Sequence, residues 1–171
     1  MIKGSAPILT QQGQILWLTL AIEKRQEIKD ILCQVLMSKG VQARKAAADA
    51  ISTICTIELP IGQWSEFIPT LANNANHSNE DVVKASIMTL GYICEKFKVQ
   101  KNSNLPEQTL QSILMGILLG MKKEQLNNDI KITAIKSLRD SFTFLDVLMD
   151  NEQVLTFVAT QIIENCLHPD Q

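Results

Sequence analysis

The residue types in this chain that could carry covalent or metal chemistry are four cysteines, two histidines and a few helix serines, and their spacing argues against such use. Cys33, Cys55, Cys94 and Cys166 are widely separated and form no CxxC pair, so neither a zinc site nor a disulfide framework is expected. Each sits in an apolar helical stripe, beside Ile31 and Leu32, Ile54, Ile93, or Ile163 and Leu167. They read as buried, reduced thiols of a protein in a reducing compartment. His77 lies in an Asn/Ser-rich stretch and His168 abuts Pro169, with no cysteine or carboxylate cluster near either. Ser112 and Ser141 have no His/Asp partner in the pattern, and no GxxxxGK[ST] or GxGxxG loop is present to cradle a phosphate. Trp17 and Trp64 read as core or staple residues rather than ligand platforms. No enzyme, metal or cofactor is expected.

Partners must therefore be bound by surface, and composition narrows their class. A formal net charge of −2 offers no basic face to neutralise nucleic-acid phosphates. No apolar run reaches the ~18 residues that would suggest a membrane span. The opening MIKGSAPILTQQGQ lacks the continuous apolar core of a signal peptide. With 46% hydrophobic and 20% charged residues, the chain has enough apolar material to fold. Neither nucleic acid nor membrane is an expected partner.

The elements that must build such a surface are helices. The stretch 108–144 shows apolar residues at Leu110, Ile113, Leu114, Ile117 and Leu118, the spacing of a helix stripe. A polar linker, KKEQLNND, ends in Asp129 as the expected N-cap of a second helix carrying Ile130, Ala134, Ile135, Leu138 and Phe142. Upstream, residues 1–14 are weakly patterned and expected to be partly disordered, and 15–22 is an apolar helical lead-in. A helix at 24–38 carries Ile28, Ile31, Leu32, Val35 and Leu36 and is closed by Gly40. An Ala-rich helix at 42–57 carries Ala43, Ala46, Ala47, Ala50, Ile51 and Ile54. Pro69, inside the pattern of Trp64, Phe67, Ile68 and Leu71, predicts a bend or a late helix start. Asp81 is the expected cap of the next helix, KVQKNSNL reads as a linker, and Pro106 fits a first helical turn. A last helix, 151–167, carries Val154, Phe157, Val158, Ile162 and Cys166. Glu23, Lys24, Arg25, Glu27 and Lys29 have the i,i+4 pattern of a solvated face.

These helices repeat. ARKAAADAI, VVKASIMTL and IKITAIKSL align with small residues at Ala47, Ser86 and Ala134 and large aliphatics at Ile51, Leu90 and Leu138. Basic residues recur in the first turn: Arg44 and Lys45, Lys84, Lys131. The period of ~36–46 residues is that of HEAT repeats, two-helix units that stack so each covers its neighbour's apolar face. The expected fold is an all-α superhelix, a HEAT-repeat solenoid, with units at 24–58, 62–98 and 105–147 and the first helix of a further unit at 151–167. The pattern reads as a fragment of a longer solenoid. Arg44, Lys84 and Lys131 are expected to neutralise the acidic first turns of neighbouring repeats, the alternative being a role toward a partner.

Several strings go beyond generic HEAT character: Glu58-Leu59-Pro60, Gln63-Trp64, Gly91-Tyr92-Ile93-Cys94 and Gly120-Met121-Lys122-Lys123-Glu124. In combination, from 17 to 167, they resemble the third to sixth repeats of the importin-β family of nuclear import karyopherins. The resemblance implies transport between cytoplasm and nucleus through the pore. It also implies binding to FG-repeat nucleoporins and contact with the Ran GTPase, with importin-α or direct cargo held mostly outside this chain. It places an FG-binding site at Leu114, Met115, Leu118, Val154, Phe157 and Val158. Val154 stands where relatives carry an acidic residue, and Leu119 where they carry a polar one. On the stripe pattern alone Leu114, Leu118, Phe157 and Val158 read as core, but Met115 and Leu119 lie one step beyond the stripe and widen the apolar face, and with the resemblance added the notch is the expected reading. Rival readings are another transport receptor, such as a transportin or exportin, or a phosphatase- or adaptor-type HEAT scaffold.

Overall fold

The computed structural model of the chain describes residues 11–100, 105–122 and 125–166. Among the described residues nine α-helices run in order: α1 (Gln11–Thr19), α2 (Ile22–Leu36), α3 (Val41–Glu58), α4 (Phe67–Asn74), α5 (Glu80–Gln100), α6 (Glu107–Leu119), α7 (Asn128–Ser141), α8 (Asp146–Met149) and α9 (Glu152–Cys166), with a 3₁₀ turn at Leu59–Ile61. Among the described residues there is no strand. The helices pair as α2 on α3, α4 on α5 and α6 on α7. Second helices α3, α5 and α7 pack in succession, and first helix α4 packs on α6, so two helical layers run side by side. This is an all-α HEAT solenoid.

Small residues bring the layers together. A Cβ placed on Gly91 of α5 would lie 3.0 Å from the Cα of Ser137 in α7. The Ser137 hydroxyl donates across that gap to the carbonyl of Ile87 (3.2 Å). In the first-helix layer a Cβ on Gly116 of α6 would meet Ala72 Cα at 3.0 Å. Ile51, Ile87, Leu90, Ile93, Phe97, Ile113, Ile117 and Ile130 fill the core between, and Phe97 stacks on Phe144 (5.3 Å between centroids).

Asparagine, not aspartate, starts the later helices. Asn79 Oδ1 accepts from the Asp81 amide (2.9 Å), Asn127 Oδ1 from the Asp129 amide (2.9 Å), and Asn151 Oδ1 from the Gln153 amide (3.0 Å). This corrects the expected caps Asp81 and Asp129 by two residues. Their carboxylates are thereby released to pair with the second helix of the preceding repeat: Arg44 with Asp81 (3.0 Å) and Lys84 with Asp129 (3.0 Å). Asn127 Nδ2 also donates to Glu80 (2.6 Å), and Lys96 pairs with Asp49 (2.8 Å). The inter-repeat ladder expected of Arg44, Lys84 and Lys131 is therefore present at the first two, whereas Lys131 makes no ion pair among the described residues.

Other expectations shift. Residues 1–10 lie outside the described residues, but 11–14 already belong to α1. Gly40 is the N-cap of α3 at φ −76°, not a left-handed helix stop. Lys98, Val99 and Gln100 are helical rather than linker. Pro106 is the N-cap of α6, one position ahead of the first turn. Pro69 falls in the first turn of α4, which starts late at Phe67 because the helix start has no donor for proline to remove. Before it, Gly62 (φ 73°) and Trp64 (φ 56°) take left-handed conformations that turn the chain, and Trp64 stacks on Phe67 at 4.2 Å. Ile28, Ile31, Ala43, Ala46, Ile135 and Phe142, counted in the stripes, are exposed. The helices are rotated so that Arg25, Lys29 and Arg44 take inward positions instead. Arg25 and Lys29 thus contradict the expected solvated face. The short α8, absent from the sequence pattern, fills the corner between α7 and α9.

Candidate protein-interaction notch

Helix α6 presents two faces. Gly116 meets Leu90 and Ala72, while Ile113 and Ile117 are fully buried. Its other edge, Gln111, Leu114 and Met115, is spaced i, i+3, i+4 and so shares one side of the helix. Facing it, α9 contributes Gln153, Val154 and Phe157, again within one turn. These six residues line an open groove of ≈ 270 Å³, a volume below that of pockets for drug-sized ligands and suited to one side chain. The groove exists because α6 and α9 do not approach as α4 and α6 do. No glycine–alanine contact draws them together, and α8 lies between α7 and α9.

The six residues named from sequence separate into wall and floor. Leu114, Met115, Val154 and Phe157 line the groove. Met115 is 48% and Phe157 44% exposed, far more than core positions allow. Leu118 and Val158 belong to the closed core, at 3% and 1% exposure, and do not line it. Leu119 is half-buried against the core. Gln111 and Gln153 line the groove but were not among the residues singled out in the sequence. Their signal was available, since Gln111 precedes Leu114 by three and Gln153 precedes Phe157 by four.

The residues capable of chemistry are otherwise engaged. Among the described residues Cys33, Cys55 and Cys94 are free thiols. Burial pushes the thiols of Cys55 and Cys94 far above the ordinary thiol range, and burial followed by the Asp30 charge raises Cys33. Thiols so held protonated are poor nucleophiles. Cys166 packing lies outside the described side chains and His168 outside the described residues. His77 is exposed, its Nδ1 accepting the amide of Asn79 (2.9 Å). Ser112 and Ser141 hydroxyls return to their own helix at the carbonyls of Gln108 and Leu138. No group of three or more His, Cys, Asp or Glu residues is placed to hold a metal among the described residues. No described helix is long and apolar enough to cross a membrane.

A buried ionic cluster at the other end had no counterpart in the sequence reading. Glu58, 1% exposed at the end of α3, accepts from Lys29 Nζ (2.8 Å), Trp17 Nε1 (3.0 Å) and Arg25 (3.1 Å). Arg25 also donates to Gln63 (2.7 Å), and the Lys29 ammonium lies 4.8 Å from the Trp64 ring. One carboxylate thus ties α1, α2, α3 and the following turn together.

No protein-family model matches the chain. It is 29% identical over 158 residues to importin subunit beta-1 of Schizosaccharomyces pombe, covering 92% of this chain and 18% of that protein. Importin subunit beta-1 of Arabidopsis thaliana is 26% identical over 154 residues (90% and 17%), and that of Saccharomyces cerevisiae 28% over 159 residues (92% and 18%). The chain therefore spans less than a fifth of the length of these relatives. The backbone superposes on yeast importin-β (Kap95p) with a TM-score of 0.81 at 29% identity, covering 94% of this chain and 19% of that one. The same score relates it to Kap95 in a complex with Nup1 (29% identity, 94% and 19% covered). It also relates it to Kap95p whose binding switches the loops of RanGDP to the GTP-bound conformation (28%, 94% and 18%). The likeness in sequence and in backbone extends over 90% or more of the chain, which is similar to importin-β and is folded as a HEAT-repeat solenoid.

Proposed function

We propose that this chain is the part of a nuclear transport receptor that corresponds to the third to sixth HEAT repeats of importin-β, with units at 24–58, 62–98, 105–147 and 151–167. It acts by binding rather than catalysis, moving between cytoplasm and nucleus through the pore. Phenylalanine-glycine segments of nucleoporins dock in the α6/α9 notch, and the second-helix layer contributes to contact with the Ran GTPase. Importin-α or direct cargo is held mostly by the rest of the receptor. The observation that carries the docking site is the pair Met115 and Phe157, two large apolar side chains left half-exposed over a groove of one-ring size. The likeness to a Kap95 that forms a complex with Nup1 supports it. A single notch of this size gives weak affinity, which suits a receptor that must release quickly and gains strength from many repeats acting together.

Titration of the chain with an FG-repeat peptide tests the proposal. Saturable binding is expected, and Met115→Asp or Phe157→Asp should abolish it with helicity retained, because both side chains are already half in water. Leu118→Asp is the wrong probe, since it would place a charge in the closed core. Binding indifferent to both surface substitutions would remove the site assignment, and no binding at all would favour the HEAT scaffold reading.

A further inference from the structure

Of the residues that line the α6/α9 groove, Met115 is the one whose polarity a small oxidant can change. It is 48% exposed, against 40% for Met37 and 2% for Met121, while Met88 and Met149 pack half-buried against the core. Among the described methionines Met115 is therefore the most open to an oxidant, which must reach the sulfur lone pair to react. The rest of its helix is shielded. Ile113 and Ile117 are fully buried, and Leu114 and Leu118 are 3% exposed, so a change at the Met115 sulfur does not enter the core.

Its surroundings decide what a polar atom there would do. The groove is walled by Leu114, Val154 and Phe157, none of which can donate a hydrogen bond from its side chain. The Gln111 amide on the same rim is already engaged, its Nε2 donating to Glu107 Oε1 (2.9 Å). A sulfoxide oxygen on Met115 is hydrated while the groove stands empty. An apolar side chain entering the groove strips that water away, and a buried acceptor left without a donor costs binding.

Resting on the docking site proposed above, we propose that Met115 is a redox modification site, at which oxidation of the thioether by a peroxide closes the groove to apolar side chains. The sulfur lone pair attacks one peroxide oxygen, and an S–O bond forms as the O–O bond breaks. With hydrogen peroxide the departing hydroxide takes the proton from the new S–OH group and leaves as water. Sulfur loses two electrons and the peroxide gains them. Thiol-dependent sulfoxide reductases, one for each sulfoxide epimer, restore the thioether. Docking is thereby controlled reversibly while the solenoid stays folded.

The test treats the chain with graded hydrogen peroxide and reads oxidation at each methionine by peptide mass mapping. The same samples are titrated by NMR with a peptide bearing one Phe-Gly core. Met115 should be oxidised well before Met121, with helicity retained. Oxidised chain should bind about tenfold more weakly, the effect of one acceptor left without a donor, and sulfoxide reductases should restore the affinity. Met115→Leu, compared with itself before and after peroxide, should show no change, whereas Met37→Leu should lose affinity to peroxide as the parent does. Met121 oxidised as readily as Met115, affinity unchanged once Met115 is oxidised, or a Met115→Leu chain that loses affinity to peroxide would each overturn the switch and leave the docking site in place. No binding by the untreated chain removes the docking site and the switch together.

Discussion

Replacing Glu58 with glutamine tests the buried ionic cluster in isolation, because the side chain keeps its size and loses its charge. In the native chain one carboxylate serves two cations, Arg25 and Lys29, at 6% and 8% exposure. The cluster already carries one positive charge in excess. Glu58→Gln leaves two buried cations with no counter-charge among the cluster's own residues, and breaking a buried pair in this way costs about 3–5 kcal/mol. For a chain of this size that is a fall in Tm of about 6–20 °C. Lys29→Met acts in the opposite electrostatic sense, since it leaves Arg25 and Glu58 as a matched pair. Its cost is one charge-assisted hydrogen bond and the contact with the Trp64 ring, about 1–3 kcal/mol. The fully apolar replacement Arg25→Met/Lys29→Met/Glu58→Leu should recover much of the loss. Urea and thermal unfolding followed by far-UV circular dichroism at neutral pH give the comparison. A Glu58→Gln variant within about 1 kcal/mol of the parent, or a Lys29→Met variant less stable than Glu58→Gln, would refute the charge argument.

Two further perturbations probe the packing. Gly91→Ala puts a methyl 2.8 Å from Ser137 Cβ and 3.0 Å from its Cα, neither the end of a flexible side chain, so α5 and α7 must separate. A loss of about 1–3 kcal/mol is expected in the same unfolding assay, and an unchanged midpoint would show that the second-helix layer yields freely. Alkaline titration probes Cys55 and Cys94. Their folded pKa values lie above the ordinary value of 9.0 because burial disfavours the thiolate, so the folded chain retains protons that the unfolded chain loses. Stability is therefore full below about pH 8.5 and declines as pH rises from there toward the folded-state pKa, with a limiting slope of about 1.4 kcal/mol per pH unit for each thiol. Cys55→Ala/Cys94→Ala should flatten that slope, and an unchanged slope would place its origin in other groups.

What was legible in the sequence followed from periodicity, and what was not depended on partners far along the chain. Stripes at 3.6-residue spacing, with small residues at Ala47, Ser86 and Ala134, identified the helices and their repeat, and with it the Arg44–Asp81 and Lys84–Asp129 ladder. The cap assignment missed by two because Asn79-Glu80-Asp81 and Asn127-Asn128-Asp129 each offer more than one good capping side chain, and only geometry separates them. Arg25 and Lys29 were misread because i,i+4 charge on a helix says nothing of what faces it. Their partner lies 33 and 29 residues away. The trace of the cluster was Glu58 itself, a lone carboxylate after the uncharged stretch from Ala50 to Ile57. Likewise Leu114 and Leu118 share one stripe, and spacing alone could not separate the wall residue from the floor residue.

The notch is a feature of size rather than a flaw in packing. On the side of α6 that carries Gly116, backbone meets Ala72 and the first-helix layer closes. On its other side, leucine and methionine face valine and phenylalanine, and the two helix axes stand too far apart for these side chains to interdigitate fully. Were the opening a defect, water would reach the core beneath it. Instead Leu114, which lines the groove, is 3% exposed and part of the closed core, and of the four apolar lining residues Met115 and Phe157 are the exposed ones. The solenoid can therefore keep an apolar groove open to solvent while its core stays closed. A groove so built exposes apolar side chains without opening the core that holds the repeats together.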